Sequence, residues 1–298
     1  KETTSDIGKG RHYKNPKVFQ NGEYLPESYT DGKYGDDVFA EYLNSFIDSN
    51  KRRPFFAYFT PTLLKTPFSP TPDNPLFATW DPENKISDPK YFPEMVTYLD
   101  KLIGNLLKKL DAVGLKQKTV VILALGDNGT SEEITSKFNG QFITGGRSQT
   151  TIYGTHVPLI VYWPGTVNKG KVINDLVDFS DFMPTIADIA GTNIPASYGT
   201  IDGVSFYPQL MGEKGNPREW IFCHYQPFIN VAGNEKIYRW VQNADYKLYD
   251  STGWEKSKEF FNLNIEPTER KPLKDDALSN KEKNLKEKWK QIFLTMHN

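Results

Sequence analysis

The stretch ILALGDNGTSEE, residues 122–133, decides how this chain is read. An apolar run ending at Leu125 leads straight into Gly126-Asp127-Asn128-Gly129. Asn-Gly is a favoured two-residue hairpin turn. The segment that follows, TSEEITSK at residues 130–137, is polar, lacks strand alternation, and reads as loop or helix. The alternative is a ligand site at the end of a strand. Asp127 offers a carboxylate oxygen and Asn128 a neutral carbonyl oxygen, both suited to a hard cation such as Ca²⁺ or Mg²⁺.

Outward from this stretch, residues 119–125 (TVVILAL) are apolar on both faces, as in a strand covered on both sides. Residues 157–163 (VPLIVYW) make a second such strand, stopped by Pro164-Gly165. Met95, Leu99, Leu102, Ile103, Leu106 and Leu110 form one stripe of a helix over residues 92–114. Helices are also expected over residues 37–50 and 181–190, and a short aromatic strand over 54–60. Residues 1–36 and the proline-dense loop 65–77 read as segments running over the surface. Helices alternate with buried strands to about residue 210, which predicts an α/β fold with a mainly parallel sheet flanked by helices. Beyond it, short aromatic strands at 219–225, 236–241 and 245–249 precede a charged helix at 281–296. The expected division is therefore an α/β domain over 1–210 and, over 211–298, a small C-terminal antiparallel β-sheet plus helix.

The composition narrows the function. With 298 residues the chain is long enough to bury a sizeable core, and its net charge of −1 argues against nucleic acid or an acidic membrane as partner. An anionic ligand must then meet a local cluster of cations. The single cysteine, Cys223, excludes an internal disulfide and a multi-cysteine metal site. Apolar runs fall short of the roughly 20 residues of a membrane helix.

Three further places could meet an anion. In Thr144-Gly145-Gly146-Arg147, paired glycines let backbone N–H groups approach an anion beside a guanidinium; a surface loop with a solvated Arg147 is the plainer reading. Lys65 sits on backbone stiffened by Pro67, with a solvated lysine as the plain alternative. His156, in Gly154-Thr155-His156-Val157-Pro158, enters a buried strand, where a histidine usually serves as a structural hydrogen-bonder.

Singly these signals are weak, but their order is specific. Asp127-Asn128-Gly129, Gly145-Gly146-Arg147, residues 154–158 and Trp163-Pro164-Gly165 resemble the sulfatase family of the alkaline phosphatase superfamily. DLVDFSDFMPTIADIAG (175–191), IDGVSFYPQLMG (201–212) and NADYKLYD (243–250) look like its later landmarks. The segment PFFAYFTPTLLKTPFSPTPD resembles its aromatic strand and His-x-Pro loop.

The resemblance implies a sulfuric ester hydrolase, arylsulfatase-like, acting on a sulfated small molecule or sulfated glycan in a periplasmic or secreted setting. It implies Asp127 and Asn128 as metal ligands for Ca²⁺ (or Mg²⁺), and Lys65, Arg147 and His156 as catalytic residues, the first two also binding sulfate. Lys65 stands where the family has a histidine and Arg147 where it has a lysine, so the cations persist while their proton chemistry changes. The family's nucleophile is a formylglycine made within Cys/Ser-x-Pro-x-Arg. Cys223-His224-Tyr225 and Ser87-Asp88-Pro89-Lys90-Tyr91 both fail that pattern, and the paired aspartates of the family's opening strand are not found. The chain thus looks like the C-terminal two-thirds of a sulfatase, with weak metal binding, no activity alone, and sheet edges that invite self-association. A degenerate module that binds sulfated glycans and a phosphoester hydrolase of the same superfamily are the alternatives.

Overall fold

The computed structural model describes residues 9–84, 87–227, 237–251 and 256–296. The elements in chain order are β1 (Phe19–Gln20), β2 (Glu23–Tyr24), α1 (Glu27–Thr30), α2 (Gly35–Asn50), α3 (Phe92–Ala112), β3 (Val121–Ala124), β4 (Thr135–Phe138) and β5 (Gln141–Thr144). They continue with α4 (Ile152–Thr155), β6 (Leu159–Tyr162), α5 (Phe182–Ile189), α6 (Tyr207–Leu210), β7 (Ile221–Tyr225), β8 (Tyr238–Gln242), β9 (Tyr246–Tyr249), β10 (Phe260–Asn262) and α7 (Asn280–Thr295). The chain forms two interleaved compact units. One holds residues 1–123, 130–145 and 159–163; the other holds 124–129, 146–158 and 164–298.

In the first unit, α3 buries Met95, Tyr98, Leu99, Leu102 and Leu110, the stripe its spacing predicts, and packs against α2. The strands β3 and β6 are hydrogen-bonded neighbours, but each is half-buried rather than covered on both faces. Residues 54–60 form no strand. They take no regular structure, and Phe56 and Tyr58 are largely exposed, because aromatic composition without a ladder partner does not make a sheet.

The segment before α2 is not a surface tether. Tyr13 and Tyr34 are fully buried and stacked, with ring centroids 5.7 Å apart, and the Lys14 ammonium donates to the carbonyls of Phe77, Ala78 and Trp80. The proline loop is likewise buried over residues 67–71. Prolines remove N–H donors that burial would orphan, and two of the donors that remain are met: Phe68 N–H by Ser87 Oγ, Thr71 N–H by Glu94; among the described residues the buried hydroxyls of Ser69 and Thr71 have no partner.

Residues 130–137 are not simply loop or helix either. Thr135–Phe138 pairs antiparallel with Gln141–Thr144, and the turn between them is Asn139-Gly140, both at positive φ. The favoured Asn-Gly hairpin is there, one motif downstream of the one the sequence raises.

In the second unit, β10-β9-β8-β7 form a four-stranded antiparallel sheet. The strand expected at 236–241 starts at Tyr238; residue 236 lies outside the described residues. α7 opens on a reciprocal cap between Ser279 and Glu282 and closes one face of the sheet, burying Trp289, Ile292 and Phe293 against Val241, Leu248 and Phe260. On the other face, Trp240, Tyr249, Phe261 and Leu263 receive Ile152 from α4.

Candidate sulfate-recognition turn

Asp127 and Asn128 follow β3 in a turn that glycines seat against the loop running into α4. The N–H of Gly129 donates to the carbonyl of Gly154 at 2.9 Å. A β-carbon on Gly129 would overlap the carbonyl oxygen of Tyr153; one on Gly146 would lie 2.7 Å from the Tyr153 Cβ; one on Gly154 would strike the carbonyl of Gln149. Three glycines therefore permit one close backbone approach. The turn is not a hairpin, and the Tyr153-Gly154 seat is a feature that the motif reading missed.

Asp127 is exposed, and its Oδ1 accepts a hydrogen bond from Asn128 Nδ2 at 2.7 Å. Arg147 is half-buried directly after Gly146. His156 is exposed, and its backbone N–H closes the last turn of α4 on Ile152. These four residues belong to the second unit. Among the described residues, neither Asp127 nor Arg147 enters an ion pair, although salt bridges are frequent elsewhere in the chain.

Lys65 belongs to the first unit and is exposed on a loop held from below. Tyr13 Oη donates to the carbonyls of Lys65 (2.5 Å) and Thr62 (3.0 Å), and Asp36 receives both the N–H (2.6 Å) and the hydroxyl (2.9 Å) of Thr62. Asp36 is wholly buried in the first turn of α2. Desolvation raises its pKa from 3.8 to about 6, against the bonds from Thr62, which pull it down. The folded state therefore holds this proton to a higher pH than the unfolded chain does. Its contribution to stability is full below pH 4 and is lost as pH rises through about 6. A pKa difference near 2 is worth about 3 kcal/mol. Relative to Asp36→Asn, the wild-type melting temperature is expected to fall between pH 4 and pH 6.5. Parallel curves for the two proteins would contradict this.

The chemistry of the turn suits a hard cation, but the number of donors does not. Calcium takes six to eight oxygens. Here one carboxylate and one amide are adjacent, and the amide nitrogen already faces the carboxylate. Among the described residues, no group of three or more His, Cys, Asp or Glu could hold a metal ion. These residues do not by themselves fit a bound metal. What they offer is a guanidinium and a carboxylate that, among the described residues, has no cationic partner, beside glycine-fixed backbone.

Comparison with known proteins gives this arrangement a family. Residues 6–192 match the sulfatase family, and residues 152–294 match the family described as N-sulphoglucosamine sulphohydrolase, C-terminal. The chain belongs to the sulfatase family.

It is similar to arylsulfatase G of Rattus norvegicus, 28% identical over 261 residues, covering 79% of this chain and 47% of the relative. It is also similar to the sulfatase YdeN of Escherichia coli (strain K12), 27% identical over 246 residues, covering 79% and 42%. The chain thus spans about half the length of these relatives. Its fold matches the structure of BT4656 in complex with its substrate D-glucosamine-2-N,6-O-disulfate, with a TM-score of 0.65, 16% identity, and coverage of 94% of this chain and 72% of that one. Among the described residues, no helix is long and apolar enough to cross a membrane.

Proposed function

We propose that this chain is the sulfate-recognising part of an arylsulfatase-type sulfuric ester hydrolase, and that it binds a sulfate ester on a small molecule or a glycan. The observation that carries this reading is Arg147. It is half-buried on glycine-fixed backbone and, among the described residues, takes no carboxylate partner. A guanidinium in that position can grip two sulfate oxygens at once. A sulfated amino sugar is the favoured ligand class, supported by the N-sulphoglucosamine sulphohydrolase match and by the sugar bound to BT4656.

In this reading Arg147 binds sulfate and offsets its developing charge, with His156 of the same unit as the candidate acid–base group. Asp127 and Asn128 are two of the oxygen donors for Ca²⁺ or Mg²⁺, a set completed only by further ligands. β3 and β6 are taken as neighbours in a mainly parallel sheet flanked by helices. They pair across a long connection that contains β4, β5 and α4, as a crossover requires. The part up to about residue 210 carries the recognising turn, and residues 211–298 supply the sheet that backs its loop. A periplasmic or secreted setting fits the reading.

Calorimetric titration of a sulfated glucosamine oligosaccharide tests it. Wild type is expected to bind, and Arg147→Ala to lose about 10- to 100-fold in affinity, the worth of a bidentate charged contact. Equal affinities would rule the assignment out.

A further inference from the structure

The strand segment Tyr246-Lys247-Leu248-Tyr249 carries a buried ion cluster that sulfate binding leaves unexplained. Lys247 and Glu269 are both fully buried, with Nζ 3.0 Å from Oε1. The Lys247 ammonium also donates to the carbonyl of Thr150, and lies 4.5 Å from the Trp240 ring centroid and 5.0 Å from that of Tyr249. Tyr249 Oη is 2.5 Å from Glu269 Oε2 and 2.8 Å from Thr150 Oγ1. Lys256 Nζ reaches the same Glu269 oxygen at 3.0 Å. Burial pulls the Lys247 pKa down to about 8 while Glu269 opposes that shift, so the cation persists at neutral pH.

Two bonds from β9 thus converge on Thr150, one to its carbonyl and one to its hydroxyl. Thr150 lies three residues after Arg147. The next residue, Thr151, accepts the N–H groups of Gly154 (2.9 Å) and Thr155 (3.1 Å), and Gly154 in turn accepts from Gly129. The contacts form one continuous path from the buried ammonium to the Asp127–Asn128 turn. An apolar side chain of similar size could fill the Lys247 slot, with Lys256 left to offset the buried Glu269 carboxylate. Such a side chain could not hold the Thr150 carbonyl.

We propose that Lys247, Tyr249 and Glu269 are positioning residues that fix the Arg147–Gly154 loop, and through Gly154 the Asp127–Asn128 turn, in the conformation that binds sulfate. The binding half of this rests on the sulfate-recognition reading; the hold on the loop does not.

The test combines hydrogen–deuterium exchange of the full chain with titration of inorganic sulfate, on wild type, Lys247→Met and Tyr249→Phe. In Lys247→Met, Glu269 keeps Lys256 and Tyr249 as partners. Exchange in peptides spanning 126–130 and 147–156 is expected to rise about tenfold in Lys247→Met and about threefold in Tyr249→Phe, with matching losses of sulfate affinity. Exchange in β8 and α7 should stay at the wild-type rate. Unchanged loop exchange, or equal acceleration across β8 and α7, overturns the proposal in favour of a purely structural cluster. Tyr249→Phe removes a single hydroxyl and decides the matter if Lys247→Met fails to fold. Faster loop exchange in a protein whose wild type does not bind sulfate would overturn the sulfate reading and uphold the hold on the loop.

Discussion

Gly129→Ala is expected to be among the costliest single-methyl changes at the described glycines. The added β-carbon would overlap the Tyr153 carbonyl oxygen and sit 2.8 Å from its carbon and 3.0 Å from Gly154 Cα. All three are backbone atoms, so no side chain can swing away. Either the turn loses its Gly129–Gly154 hydrogen bond or the loop from Gly146 to His156 moves as a body. The loss should be about 3 kcal/mol or more, from steric strain together with a buried bond left unmade. Gly140→Ala makes the control. Gly140 has φ +82° with open space around it, so its penalty is conformational alone, about 1 kcal/mol. Urea unfolding of both variants checks the pair; comparable small losses would mean that the glycine seat is not tightly packed.

Trp289→Ala is the second. Trp289 is 1% exposed and meets Phe260 edge-on, with centroids 6.1 Å apart, in the cluster that joins α7 to the sheet. Removing an indole from such a core costs about 3–5 kcal/mol, because the cavity adds to the lost burial. The rest of α7 cannot compensate. Its outward face is charged, and pairs such as Lys290–Glu287 are largely exposed and worth little. A loss below about 1 kcal/mol in urea unfolding would mean that the helix does not close this core.

Where the sequence was legible, a periodic apolar pattern coincided with burial. The stripe on α3 and the Trp289-Ile292-Phe293 face of α7 are of this kind. The pattern failed where polar or irregular backbone enters the core. Lys247 looks like a solvated strand lysine until its carboxylate partner, 22 residues away, is placed. Tyr13 and Tyr34 lie in segments without periodicity; they stack on each other, and the Tyr13 hydroxyl donates to the carbonyls of Thr62 and Lys65. β4 was missed because all four of its residues are exposed, so neither face carries an apolar signal. For the candidate site, the motif order drew attention to Asp127, Asn128, Arg147, His156 and Lys65. It did not show that Gly129, Gly146 and Gly154 share one backbone contact, since a glycine's role depends on what approaches it.

In the proposed reading these residues recognise a sulfate ester, while the 298 residues hold no Cys/Ser-x-Pro-x-Arg sequence from which a formylglycine nucleophile is made. The progress curve of an aryl sulfate incubated with the purified chain and Ca²⁺ tests this most sharply. No release of the phenol above background is expected at any substrate concentration. Saturable hydrolysis, abolished in Arg147→Ala, would contradict it and place a nucleophile within these 298 residues.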